Sequence, residues 1–136
     1  LREEQFVSGK IARGAVRCKK DPAYQLVLGN LTGEVDWGYA PDYVDAMHRI
    51  VNLPDADDFV IATGEKHTVE DFVRIAFEMV GLDWRDHVTV REEIITRPAV
   101  ALVGNPAKLV KKTGWKRSIT FPEMVKLLVD AAGERE

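Results

Sequence analysis

The sequence lacks the features that define several large classes of protein. One cysteine among 136 residues, Cys18, excludes an intrachain disulfide and with it a disulfide-stapled secreted scaffold. No apolar run approaches the roughly 18–20 residues that cross a bilayer. The 19 Lys and Arg residues are balanced by 22 Asp and Glu residues without a basic stripe, which argues against nucleic-acid binding. No signal-peptide pattern opens the chain, and we expect a cytoplasmic protein without a membrane span.

The sequence also lacks the common catalytic and cofactor motifs. It contains no G-x-G-x-x-G, G-x-x-x-x-G-K-[ST], Tyr-x-x-x-Lys or G-x-S-x-G pattern. His48, His67 and His87 are too widely spaced for a zinc site, and we expect them to be structural or exposed to solvent. The acidic group within 55–58 is typical of a solvated loop. The sequence therefore predicts neither a catalytic residue nor a metal site.

Hydrophobic periodicity and capping signals predict a mixed α/β fold with five helices and a few short strands. The helices are predicted at 4–20, from Pro41 to 51, after the Thr68/Asp71 capping box to 80, from Asn105-Pro106, and after the Thr120/Glu123 capping box. Strands are predicted at 25–28, 58–62 and 87–90, with a turn and a short extended segment at 33–38. The segment 59–62 is almost entirely apolar, as expected of a strand buried on both faces.

Several segments together resemble a known family. They are FVSGKI (6–11), DWGYAPDYV (36–44), FVIATG (59–64), and RPA (97–99) followed by VGNPAK (103–108) and GW (114–115). In this order and spacing they are similar to the C-terminal part of the GDP-mannose 4,6-dehydratases, which are extended short-chain dehydrogenases/reductases. The combination of 36–44 with 59–64 is the most specific sign, and the resemblance covers almost the whole chain.

The resemblance implies a fold and a reaction. The fold would be the substrate-binding portion, 1–136, of an extended short-chain dehydrogenase, with 37–64 packing on a Rossmann domain absent here. The family converts GDP-mannose to GDP-4-dehydro-6-deoxy-mannose and water, using NADP that is reduced and reoxidised within each turnover. The resemblance places the catalytic residues in the absent part, so we name none here and expect the isolated chain to be inactive. It also implies a homo-oligomer.

The resemblance assigns binding roles to five residues. Lys10, Asn30, Trp37 and Arg97 would contact the nucleotide sugar, and Arg2 would reach NADP, in some family members across a subunit interface. The residues by themselves allow other roles: a lysine snorkelling from a helix flank, a turn asparagine, a core tryptophan and a surface arginine. A guanidinium at Arg97, in an extended segment before proline, suits bidentate binding of a pyrophosphate.

The sequence departs from the family pattern in two substrate contacts. Val35 stands where members usually have the arginine that precedes DWG, and Val100 stands where they usually have a glutamate after RPA. The excursion before RPA is trimmed to Arg91–Thr96. Two alternatives therefore stay open: a different NAD(P)-dependent sugar-nucleotide epimerase, reductase or dehydratase, and a non-catalytic module that binds a nucleotide sugar.

Overall fold

The computed structural model describes residues 6–91 and 102–134, which form five helices and four short strands. The elements in chain order are α1 (Val7–Lys20), β1 (Leu26–Leu28), β2 (Glu34–Val35), α2 (Ala40–Val51), β3 (His67–Thr68), α3 (Val69–Val80), β4 (Val88–Val90), α4 (Ala107–Thr113) and α5 (Phe121–Gly133). The predicted mixed α/β class and the number of helices are confirmed within these residues.

Local capping decides where α3 and α5 begin. The Thr68 and Thr120 hydroxyls accept hydrogen bonds from the N–H groups of Asp71 and Glu123, whose carboxylates accept from the cap N–H groups in return. Both predicted capping boxes are confirmed. Helix α3 ends at Gly81, which adopts the left-handed conformation at φ 78° that residues with a side chain avoid.

Helix α4 begins one residue later than predicted. Ala107 is its first residue and Pro106 occupies the N-cap position. The side chain of Asn105 instead accepts from the N–H of Ala107 at 3.0 Å, closing a turn across the proline. The asparagine still supports the helix start, but from outside the N-cap.

The main core lies between α1, α3 and α5. Ile11, Phe72, Phe77 and Val125 are completely buried there, and each large side chain contributes about 1.5–3 kcal/mol through burial. Cys18 is 1% exposed in the same core, as predicted of a small core residue.

Two small sheets flank this core. Strands β1 and β4 are parallel, with Leu26 opposite Val88, and β2 and β3 are antiparallel, with Val35 opposite His67. A second, smaller cluster of buried residues joins α2 to α4 through Ala46, Leu109 and Trp115.

The prediction of a strand at 58–62 is wrong. No described residue forms a strand ladder with this segment. Phe59 and Ile61 pack against the second cluster, while Val60 is 53% exposed, so only one side is covered. An apolar run becomes a strand only when a neighbouring strand satisfies its backbone groups, and none does so in the described ranges.

The histidines lie in stacked or exposed positions, and residues 55–58 are exposed. His67 stacks on Phe121 with ring centroids 3.9 Å apart, His87 stacks on Phe77, and His48 is exposed. Residues 6–91 and 102–134 contain no cluster of metal-binding side chains. No helix in these two ranges is long and apolar enough to cross a membrane.

Candidate functional site

Asp36, directly after β2, joins three segments that are distant in sequence. Its Oδ1 accepts hydrogen bonds from the Thr63 N–H at 3.1 Å and the Thr63 hydroxyl at 2.5 Å. Its Oδ2 accepts from the N–H groups of Gly64 at 3.1 Å and Gly104 at 3.3 Å. One carboxylate thus ties the DWG segment to both FVIATG and VGNP.

Asp42 makes a second junction of the same kind at the start of α2. Asp42 is 7% exposed, and its carboxylate accepts hydrogen bonds from the N–H of Ser118 at 2.9 Å and from the Ser118 hydroxyl at 2.5 Å. Its backbone carbonyl accepts from the indole N–H of Trp115 at 2.9 Å. These bonds offset the cost of burying a charge and connect α2 to the GW segment.

Two glycines allow the motif segments to approach each other closely. A Cβ on Gly38 would lie 2.2 Å from the ring of Tyr43, and a Cβ on Gly104 would lie 2.3 Å from the Cβ of Ala62. Burial, followed by the nearby charge of Asp36, raises the pKa of Tyr43 above its ordinary value of 10.0. The phenol therefore stays neutral at pH 7.

A groove of about 710 Å³ opens beside the DWG segment, between α2 and α5. It is lined mainly by apolar and aromatic side chains, among them Val35, Trp37, Tyr39, Tyr43, Met124 and Leu127. Trp37 stacks on Phe121 at 5.5 Å between centroids and meets Phe72 edge-on at 5.3 Å. The only charged side chain of the described lining is Asp36.

An ion pair next to the Asp36 junction holds the loop that leads into α5. Arg117 donates two parallel hydrogen bonds to Glu65, at 2.7 and 2.5 Å. These bonds lower the pKa of Glu65 below its ordinary value and raise that of Arg117. The pair links the residue after FVIATG to the loop after GW.

The family model for GDP-mannose 4,6 dehydratase matches residues 1–128. The chain belongs to this family. It is 40% identical over 130 residues to GDP-mannose 4,6 dehydratase 1 of Arabidopsis thaliana, covering 95% of this chain and 36% of that protein. It is 34% identical to the human GDP-mannose 4,6 dehydratase, covering 96% and 40% of the two chains. The chain thus spans about two fifths of the length of these relatives.

Solved structures confirm the extended short-chain dehydrogenase fold. RMD from Pseudomonas aeruginosa, complexed with NADPH, superimposes with a TM-score of 0.86 at 19% identity, covering 99% of this chain and 45% of that chain. A dTDP-glucose 4,6-dehydratase from Bacillus anthracis, in complex with NAD, gives a TM-score of 0.83 at 14% identity, covering 99% and 41%. At these identities the likeness concerns the fold alone.

Of the residues to which the family resemblance assigns binding roles, Trp37 lines the groove. Lys10 is half-buried on α1. It lies about 200° around the helix from Ser8, the α1 residue that lines the groove. Asn30 Oδ1 accepts from the N–H and hydroxyl of Thr32 at 2.7 and 2.8 Å, which is an Asx turn. The structure does not bring Lys10 or Asn30 into the groove lining.

Two further residues with predicted binding roles lie outside the described part of the chain. Arg2 and Arg97 both belong to segments that the structure does not describe, and their assignments stay predictions. Val35, at the position where the family resemblance implies an arginine, lies in the groove lining and is 36% exposed.

Sequence reasoning missed the polar residues that hold the family motifs together. Asp36, Asp42, Thr63 and Ser118 join those motifs through hydrogen bonds. No local pattern in the sequence marks these hydrogen bonds, because the partners are 27 to 76 positions apart. The sequence showed only that Asp36, Asp42 and Thr63 lie inside the motifs. The motif residues thus have a structural role that their resemblance to a binding protein does not reveal.

Proposed function

We propose that this chain forms the nucleotide-sugar side of the cleft in a GDP-mannose 4,6-dehydratase, which converts GDP-mannose to GDP-4-dehydro-6-deoxy-mannose and water. The observation that carries the proposal is the groove of about 710 Å³ beside DWG, in a chain whose residues 1–128 match this family. Small-molecule sites are typically apolar clefts of ~300–1,000 Å³ with a few polar groups. The groove has this size and character.

The walls of the groove suit the flat base of a nucleotide better than its phosphates. Trp37, Tyr39 and Tyr43 supply aromatic surface for stacking. A diphosphate needs cations or free amides, and the described lining contains neither lysine nor arginine. We assign the phosphates to Arg97, which lies outside the described residues. This assignment makes Arg97 the dominant electrostatic contribution to affinity.

We propose NADP as the cofactor of the enzyme, since the structure of the similar RMD was determined with NADPH. The described residues do not fit its phosphate site: they include no glycine-rich loop, and the one charged group in the groove is a carboxylate. Arg2 is the single cofactor contact that we propose in this chain.

A second candidate function follows from Val35. Loss of the arginine before DWG removes a phosphate contact that family members usually have, so a related nucleotide-sugar epimerase, reductase or dehydratase is the alternative. Similar solved folds include a UDP-glucuronic acid 4-epimerase from Bacillus cereus in complex with UDP-glucuronic acid and NAD, with a TM-score of 0.81. Nucleotide preference separates the two functions.

Titration of the 136-residue chain with GDP, UDP and ADP, followed by calorimetry and tryptophan fluorescence, tests the proposal. We expect GDP to bind most tightly and to change the emission of Trp37. The change should vanish in Trp37→Phe and persist in Trp84→Phe, because Trp84 lies outside the groove lining. A preference for UDP favours the alternative, and equal or absent binding of all three contradicts both functions.

Activity gives an independent check. We expect no dehydration of GDP-mannose by the purified chain, even with NADP, because it lacks the dinucleotide fingerprint and the Tyr-x-x-x-Lys pair. Product formation by this chain alone would overturn the assignment of the catalytic residues to another part of the enzyme.

A further inference from the structure

The carboxylate of Asp36 is saturated with hydrogen bonds from the protein itself. An ionised carboxylate offers about four lone-pair positions, and Asp36 accepts four hydrogen bonds, two at each oxygen. It therefore has no acceptor position left for a ligand. Its place in the groove lining therefore does not make it a direct ligand contact.

Three of the four donors are backbone N–H groups, from Thr63, Gly64 and Gly104. Ordinary side-chain substitutions at these residues keep the backbone donors, so these three bonds depend on the side chain of Asp36. The bonds span 27, 28 and 68 positions along the chain. They fix the backbone immediately before Trp37 against the segment that begins at Gly104.

From this geometry we propose that Asp36 is a positioning residue of the nucleotide-sugar site. It acts through Trp37, the aromatic wall next to it in sequence, and through Gly104, which follows the RPA segment in the chain. The role rests on the proposed function, because it assumes that the groove receives the nucleotide. Asp42 provides the matched contrast: it is also a hydrogen-bonded carboxylate that joins distant segments, but it does not line the groove.

The experiment compares Asp36→Asn with Asp42→Asn in the full chain. In either orientation of the new amide at position 36, its NH₂ group faces two N–H or O–H donors whose hydrogen bonds the carboxylate had accepted. Those two hydrogen bonds are then lost. We measure three properties of each variant where it remains folded: the melting temperature, the NMR signal of the Trp37 indole with hydrogen exchange at Gly64 and Gly104, and the affinity for GDP.

We expect both variants to lower the melting temperature. Only Asp36→Asn should shift the Trp37 indole signal, accelerate exchange at Gly64 and Gly104, and weaken GDP binding by about tenfold or more, as expected for lost hydrogen bonds to a charged group. The proposal is overturned if Asp36→Asn lowers the melting temperature but gives the same Trp37 signal, exchange rates and GDP affinity as Asp42→Asn. The role of Asp36 is then only structural.

Two milder variants keep the test decisive if Asp36→Asn does not fold. Thr63→Val removes one of the four donors and should give a smaller change of the same kind, while Thr63→Ser keeps the hydroxyl and should restore the wild-type values. If wild type binds no GDP, the proposed function fails separately. The Trp37 signal and the exchange rates still test the positioning role in that case. If neither changes in Asp36→Asn and Thr63→Val, the positioning role is overturned.

Discussion

At Gly104 the space between two chain segments limits which residue the fold accepts. Gly104 passes so close to Ala62 that the two chain segments admit no side chain between them. Ala62 cannot swing aside, because the contacting atom is a Cβ attached directly to the backbone. A substitution at Gly104 must therefore move the main chain.

We expect Gly104→Ala to destabilise the fold by about 1–3 kcal/mol, the usual cost of overpacking. Chemical denaturation measures this difference in the free energy of unfolding. Gly133→Ala is the control: nothing lies within 4 Å of the added Cβ at the end of α5, so stability should stay the same or rise by up to ~1 kcal/mol. Equal stability of Gly104→Ala and wild type would show that the segments separate freely.

Val35 offers a gain-of-binding prediction. It is 36% exposed in the groove lining, so an arginine there has access to the groove. We expect Val35→Arg to tighten GDP binding by roughly tenfold, the effect of one charge-assisted hydrogen bond. UDP should gain by the same factor, since both share the diphosphate, and Arg97→Ala should weaken both.

Calorimetric titration checks the Val35 prediction. Val90→Arg, which changes net charge equally at an exposed strand position, is the matched control and should leave both affinities unchanged. A gain confined to GDP would mean that the arginine reads the base, and no gain would place the phosphates elsewhere.

At the scale of elements, the Glu65–Arg117 pair couples the loop before β3 to the loop before α5. Arg117 holds the pKa of Glu65 below its ordinary value. A carboxylate with a lowered pKa in the folded state adds stability above its unfolded pKa and loses it as the pH falls through the folded pKa. The pair therefore stabilises the fold at neutral pH and stops doing so in acid.

We expect Arg117→Gln to lower the free energy of unfolding at pH 7 by about 0.2–1 kcal/mol, the range for exposed pairs, because Glu65 is about half exposed. The difference from wild type should shrink as the pH falls below the ordinary glutamate pKa of about 4.3. Lys116→Gln, one position away and without an ion pair in the described chain, should show no such pH-dependent difference. A gap that persists unchanged into acid would mean that packing, not charge, stabilises this junction.

At the scale of the whole molecule, α2 presents an apolar face that the described residues leave uncovered. Val44, Met47 and Val51 are 62%, 55% and 78% exposed. Contiguous exposed apolar surface of this kind drives association. In the complete enzyme we propose that 37–64 packs on the dinucleotide-binding part. In the isolated chain the α2 face is free for a second copy.

We therefore expect the isolated chain to self-associate, with a concentration-dependent sedimentation coefficient. Met47→Glu should shift the population toward monomer, because a charge buried in an apolar interface is costly. Ala23→Glu adds the same charge at an exposed turn and should leave the association unchanged. A monomer at every concentration would contradict the prediction.

The sequence by itself determined the features whose causes are local. Helix α3 and helix α5 were predictable because a capping box and a 3.6-residue apolar period act within a few residues. The family also followed from sequence, through motifs such as 36–44 and 59–64 that keep their order and spacing. Neither inference depends on which segments contact each other in the folded protein.

Tertiary structure alone decided the features that depend on such meetings. It showed that 58–62 finds no strand partner in the described chain, and that Asp36 binds donors 27 to 68 positions away. It also separated Trp37, which lines the groove, from Lys10 and Asn30, which do not. Hydrogen bonding and burial depend on distance in space, and a one-dimensional pattern fixes that distance only between residues that are close in sequence.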